Sequence, residues 1–441
     1  MRENRSLGKV GFLIPTCLLL QVLLVLGNPT VSQNSSEEEK KSYRNYKVLR
    51  TQPVDNKDVL DKLMTFAGVE DISFWKYPVM NGSADIMASP DKVAYVEEAF
   101  KDMGIEHMTV INDVEELFQG QNPDVDDEYT LKQNGGMSWS RYHRYNEIIS
   151  YAKQQAARDG MVSYQSIGTS TEGREIGLVK ISDGTGGNKP AIWMDGGIHA
   201  REWISPATVT YIMHKLITDI NYRDLVQNFD WYIVPIINVD GYEYTHTRDR
   251  LWRKTRRPNQ GTHCVGTDPN RNWGFKWGGP GSSGNPCEQT YRGPKPFSEP
   301  ETSAVANAVL ARRNQIKMYL TFHSYSQLWL LPWSYTRQRP SDYSELQRLG
   351  LIGARALAST YGTRYRVGSA PEILYEAAGG SDDWAKGAAG IKYSYTLELR
   401  DTGTYGFALP ARQITATGEE TLRGVAATAR ALHKTLNTAS G

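Results

Sequence analysis

The chain divides by its hydrophobic pattern. Short apolar runs read as strands at 46–50, 83–88 and 107–111. Between them lie two amphipathic stretches that read as helices. One is capped by Asp55 with Asp58 and runs through Phe66, and the other is opened by Ser89-Pro90 and runs to about Asp102. The order strand, helix, strand, strand, helix, strand, with the second strand left without assigned bounds, predicts a ferredoxin-like α+β unit. From Glu115 to Gln133 the chain turns acidic around Pro123, with Asp124, Asp126, Asp127 and Glu128, before an isolated Lys132, and this stretch reads as a connector. Past Met137, apolar strands at 191–195, 231–238, 318–322 and 393–397 alternate with helices at 206–218, 299–312, 342–361 and 418–436. That alternation predicts an α/β domain on a largely parallel or mixed sheet, and no internal repeat interrupts it.

At the amino end, Arg2, Arg5 and Lys9 precede an apolar run from Val10 to Leu26, broken by Pro15 and Gln21 and followed by the small residue Gly27. These are the features of a secretory signal peptide over residues 1–33. An uncleaved anchor would need about 20 uninterrupted apolar residues. A secreted, extracellular protein is therefore expected, with no membrane partner once the signal is gone. A length of 441 residues allows two or three domains, and 39% apolar residues with 11 Trp and 25 Tyr can fill a large core, which excludes wholesale disorder.

The net charge of +1 conceals an asymmetry. Residues 34–132 carry 11 basic and 21 acidic side chains, whereas residues 133–441 carry 36 and 27. An acidic attachment on a basic body follows, and neither part has the basic run expected of a nucleic-acid partner. Of three cysteines, Cys17 leaves with the signal, so Cys264 and Cys287 remain as an even pair in an oxidising compartment and are expected to form a disulfide. The sequons at Asn34 and Asn81 are candidate glycosylation sites.

Chemistry gathers at strand ends. The 191–195 strand is followed by Gly196-Gly197-Ile198-His199-Ala200-Arg201-Glu202, and the 318–322 strand by His323. Two imidazoles and one carboxylate at carboxyl ends of strands provide three ligands for Zn²⁺ and leave a fourth position for water, the pattern of a catalytic site. The 393–397 strand ends in Glu398, a carboxylate placed to accept a proton from such a water.

Together these residues resemble the zinc carboxypeptidases of the pancreatic A/B type, over nearly the whole chain after the signal. The resemblance implies a mixed eight-stranded twisted sheet flanked by helices, preceded by a ferredoxin-like activation domain. It implies one Zn²⁺ held by His199, Glu202 and His323, with Asp268 in Asp268-Pro269-Asn270-Arg271 fixing the first histidine from behind. By the same likeness Asn270 and Arg271 bind the substrate's terminal carboxylate, for which a guanidinium fork is suited. Arg253 in Arg250-Leu251-Trp252-Arg253-Lys254 polarises the scissile carbonyl, Arg201 contacts the incoming chain, and Tyr375 closes over the bound end. Glu398 then serves as general base and acid.

In this family the residue between Ser and Asp of a Gly-Gly-Ser-x-Asp-Trp run sets the floor of the specificity pocket, and here it is Asp382. The likeness points to the B-type release of C-terminal Arg or Lys, with the small residues Ser334 and Ala370 leaving room for a long cation. Trp329 and Trp333 are bulkier than expected beside that pocket, and Pro371-Glu372 departs from the family's small polar residues. Glu372 either adds a second negative charge there or faces water. The mature enzyme is expected to start near Lys132, after cleavage by a trypsin-like protease, which divides the chain into 1–33, 34–132 and 133–441. The partners are then peptides or proteins with basic C-termini, and nothing demands more than a monomer. Two alternatives stand beside this reading: A-type specificity for apolar ends, or a catalytically silent binder of basic C-termini.

Overall fold

In the computed structural model, which describes residues 39–123, 131–132, 134, 136–185 and 189–439, four strands open the fold. They are β1 (Lys47–Thr51), β2 (Ile72–Lys76), β3 (Asp85–Ala88) and β4 (His107–Ile111), in the order β2-β3-β1-β4 with every neighbouring pair antiparallel. With helices Lys57–Met64 and Pro90–Asp102 this is the ferredoxin-like arrangement. β2 is the strand that the sequence pattern left without bounds. Its residues Ile72 and Phe74 face the unit's own core while Trp75 is buried on the other side, so it lacks the alternation of a half-buried strand. Asn56, not Asp55, caps the first helix, its Oδ1 accepting from Asp58 N at 2.8 Å; the helix ends at Met64, and Phe66 sits in the following turn. The signal region 1–33, the sequon at Asn34 and the acidic residues 124–130 lie outside the described residues, whereas Lys132 and Asn81 are described and exposed.

The second sheet has eight strands: β5 (Val162–Thr169), β6 (Glu175–Ile181), β7 (Ala191–Asp195), β8 (Asp230–Val234), β9 (Ile316–Ser324), β10 (Leu328–Leu331), β11 (Arg366–Ser369) and β12 (Tyr393–Leu399). Their order is β11-β10-β12-β9-β7-β8-β6-β5. The four central strands β12, β9, β7 and β8 run parallel, and the pairs β10–β12, β6–β8 and β5–β6 are antiparallel. Central parallel strands are covered on both faces, which is why β7 and β8 are buried at every position. Helices Ile204–Thr218, Pro300–Leu310, Tyr343–Tyr361 and Ile414–Ala439 supply the cover.

β8 stops at Val234, short of the expected 238. Pro235 offers no N–H to a ladder, and the next residues serve another purpose: Ile237 N and Asn238 N donate to Gly196 O and Gly197 O, both at 3.0 Å. Trp329 does not flank a pocket. It is fully buried in the core, packed on Tyr395 and on Gly353, where an added Cβ would lie 2.4 Å from its ring. Trp333 stacks on Phe275 instead. Cys264 and Cys287 form the expected disulfide across a separation of 23 residues.

The two sheets meet along an apolar seam of Trp75, Met87, Ile111, Leu251, Tyr325 and Phe407. Burying Trp75 against Phe407 removes two large rings from water, worth on the order of 2 kcal/mol for each. Polar contacts fix the seam's register. Arg50 pairs with buried Asp85 at 2.6 Å and donates onward to Gly403 O at 3.0 Å, while Tyr43 OH donates to Asp249 at 2.6 Å. Gln121 Oε1 accepts from buried Arg250 at 2.8 Å. No helix among the described residues is long and apolar enough to cross a membrane.

Candidate active site

Three neighbouring parallel strands end at one place. β7 runs into the Gly196–Gly197 turn, where Gly197 has φ +61° and a Cβ would press on Pro206 at 2.9 Å and on the Ile236 backbone at 3.3 Å. Ser205 Oγ accepts from Gly197 N at 2.9 Å and donates to Phe322 O at 2.6 Å, which ties this turn to β9. His199 and Glu202 project from the turn, His323 comes from the end of β9, and Glu398 on β12 is paired in register with His323. These are the crevice positions outside the carboxyl ends of strands where α/β folds hold ligands.

His199, Glu202 and His323 are buried and offer ligand atoms that all lie within 4.8 Å of one another. His199 Nε2 faces Asp268 Oδ1 at 3.2 Å, which places its proton there and turns the Nδ1 lone pair inward. That Nδ1 lies 2.8 Å from Glu202 Oε1 and 3.2 Å from His323 Nδ1, and His323 Nδ1 is 3.3 Å from Glu202 Oε2. Converging lone pairs and a buried carboxylate repel one another unless a cation lies among them, so this donor set fits a dication, and two imidazoles with one carboxylate fit zinc. A second group, His263, Cys264 and Cys287, is excluded as a metal site because its two thiols form the disulfide.

Positive charge surrounds the triad. Arg253 donates through Nε and Nη2 to Asp268 Oδ2 at 3.2 and 2.9 Å, and its Nη1 lies 3.8 Å from Glu202. Asp268, fully buried among Arg253, Arg271 and His199, is held well below the usual carboxylate range. Arg271 is anchored by Gly281 O at 2.8 Å and Asn270 O at 2.9 Å. Asn270 Oδ1 accepts from Ser381 N at 3.0 Å, and Gly379, with φ +78°, brings the following chain to where a Cβ would stand 2.6 Å from Arg271 O. Arg201 is buried with its guanidinium 4.1 Å from the Phe407 ring, and its Nε has no partner among the described residues. Burial, reinforced by Glu202, pushes the Glu398 carboxyl up to about 8, against the pull of His323 and Arg253.

These groups line one cavity of about 640 Å³, together with Ser334, Ala370, Tyr375 and Asp382. Asp382 is buried; its Oδ2 accepts from Ser334 Oγ at 2.7 Å, and it has no ion-pair partner among the described residues. Asp383 points elsewhere, accepting the backbone N–H groups of Ser334 and Tyr335. Every expected site residue is therefore gathered here, apart from Asp268 behind the triad and from Lys132 and the disulfide. The sequence reading missed one contributor. Tyr77, from the loop after β2, enters the cavity against Tyr375, and nothing in Trp75-Lys76-Tyr77-Pro78 marks it as more than core. Glu372, expected either to face water or to add a second charge, is exposed at the wall of this cavity, and its carboxylate pairs with Arg339 at 2.7 Å.

Comparison with known proteins agrees with this geometry. A family model described as zinc carboxypeptidase matches residues 148–424, and one described as carboxypeptidase activation peptide matches residues 50–121. Carboxypeptidase B of Astacus astacus is 50% identical over 292 residues, 66% of this chain and 96% of its own. Carboxypeptidase A2 of Rattus norvegicus is 39% identical over 361 residues, 80% of this chain and 86% of its own. The crystal structure of thrombin activatable fibrinolysis inhibitor superposes with a TM-score of 0.81 at 35% identity, covering 89% of this chain and 100% of that one. The chain belongs to the zinc carboxypeptidases and carries their activation peptide ahead of the catalytic domain.

Proposed function

We propose that this zymogen, once cut, releases C-terminal Arg or Lys from peptides and proteins. Asp382 carries the reading: a buried carboxylate on the cavity wall, oriented by Ser334 and without an internal cation, suits a long basic side chain and disfavours an apolar one. Relatives named both carboxypeptidase B and carboxypeptidase A2 match the chain, so the pocket and not the likeness supports the choice.

Bound zinc supplies a Lewis acid and acidifies a water. The chain's own groups do the rest. Glu398 takes a proton from the attacking water and returns it to the leaving amine. Arg253, fixed by Asp268, meets the oxyanion as charge develops. Asn270 and Arg271 hold the terminal carboxylate, Tyr375 closes over it, and Arg201 binds the chain upstream through its Nε, which has no partner among the described residues. Ala370 and Ser334 leave space for the side chain.

Residues 1–33 act as a secretory signal and 34–132 as the activation segment, removed by a trypsin-like protease after exposed Lys132. A single chain supplies every residue of the site, so a monomer suffices. The test is kcat/KM of the trypsin-treated protein on blocked dipeptides ending in Arg and in Phe, with and without a zinc chelator. Chelator-sensitive release favouring Arg supports the proposal. Preference for Phe overturns the basic specificity, and release of neither leaves a silent binder.

A further inference from the structure

The Tyr375 segment is short of internal support. After β11, residues Ala370–Ile373 make a single helical turn closed by Leu374 N donating to Ala370 O at 2.7 Å, and Tyr375 follows directly. On one side Ala370, Ile373 and Leu374 rest on Leu328 and Leu330 of β10. On the other side the only charged side chain of the turn, Glu372, stands at the wall of the same cavity with both carboxylate oxygens engaged. Its Oε1 accepts from Arg339 Nε at 2.8 Å and its Oε2 from Tyr343 OH at 3.2 Å. Arg339 also lies over the Tyr343 ring at 4.3 Å, and Tyr343 is buried at the start of helix Tyr343–Tyr361, so the trio ends on a rigid element.

We propose that Glu372 is a positioning residue, whose pairing with Arg339 and Tyr343 fastens the turn that carries Tyr375 and so sets how tightly the substrate's C-terminus is held. The inference rests on the role given above to Tyr375. The same contacts argue against Glu372 as a second specificity charge, because both of its oxygens already have donors. Its side chain is 30% exposed and that of Arg339 55%, so the tether is a weak one of the surface class. A weak tether suits a segment that must move to admit and release substrate.

The test uses trypsin-activated enzyme and whichever blocked dipeptide the wild type cleaves best. Glu372→Gln and Arg339→Gln should each raise KM by about three- to fivefold with kcat held within about twofold. The double variant should be no worse than either single one, and the reversed pair Glu372→Arg with Arg339→Glu should recover part of the loss. Tyr375→Ala should raise KM by itself and leave Glu372→Gln without further effect. An unchanged KM in Glu372→Gln, additive losses in the double variant, or a fall in kcat at constant KM overturns the tether. If Tyr375→Ala leaves KM unchanged, the covering role of Tyr375 fails and the tether with it. If Tyr375→Ala raises KM while Glu372→Gln does not, only the tether fails.

Discussion

Tyr77 of the activation domain stands edge to face against Tyr375 of the catalytic domain, their ring centroids 5.4 Å apart and their planes at 62°. Both rings line the cavity that holds the metal triad, and Tyr77 lies within the field of Arg253, Arg201 and Arg271. The activation domain thus places an uncharged phenol inside the cavity that holds the triad, and it does so from the loop after β2, anchored by Trp75 in the seam.

Replacing that phenol should loosen the zymogen. In the uncut chain, Tyr77→Ala should raise hydrolysis of a blocked dipeptide on the order of tenfold, the equivalent of losing one buried aromatic contact. After trypsin the variant and wild type should be indistinguishable. Equal rates before cleavage would show that Tyr77 does not close the site.

Glu398→Gln keeps the size of the side chain and removes its basicity. Turnover should fall by at least about 100-fold, while zinc content and binding of an uncleaved C-terminal ligand stay near wild type. Metal analysis and calorimetry on the same preparation separate the two effects. Near-normal kcat would assign the proton transfer elsewhere.

The proposed role of Asp382 makes an independent prediction. Asp382→Ile should lower kcat/KM for a C-terminal Arg substrate by about 100-fold, the loss of one buried charge partner, and should raise it for Phe. Ser334→Ala should have a smaller effect in the same direction, because it removes only the hydroxyl that orients Asp382. Unchanged Arg preference in Asp382→Ile would take this residue out of the pocket.

Stability should sense His214. Its ring lies 4.6 Å from Trp139 with Nδ1 2.9 Å from Tyr151 OH, and burial pushes its pKa down to about 4. The folded state therefore holds a neutral ring between pH 6.5 and about 4, whereas the unfolded chain takes up a proton there. The contribution is complete above pH 6.5 and is lost as pH falls toward 4, by on the order of 3 kcal/mol. Melting curves of wild type and His214→Gln should converge over that window on acidification. A constant gap would mean that the ring does not change its charge.

Residues with local signatures were legible from the chain alone. The glycine turn carrying His199 and Glu202, the strand ends at His323 and Glu398, and the Asp268–Arg271 run each sit within a few residues of the element that positions them. Ranges such as Ala191–Asp195 and His107–Ile111 agree with the structure because their apolar runs are bounded by turns or polar residues. The outer strands β5, β6, β10 and β11 have no comparable signature in the chain. β10 and β11 have four residues each, and β5 is largely exposed, so their existence depends on the neighbours they pair with.

What the sequence by itself determined is the kind of chemistry: which side chains can ligate zinc, carry a proton or pair a cation, and the central elements that bear them. Only the tertiary structure decided which residues share a cavity when nothing in the chain connects them. Gly196 and Ile237 come together across 41 residues, Tyr77 and Tyr375 across 298, and Trp329 turns into the core and not the pocket. Such contacts are chosen by sheet order and by the competition for burial among whole elements, and neither has a local trace in the order of the amino acids.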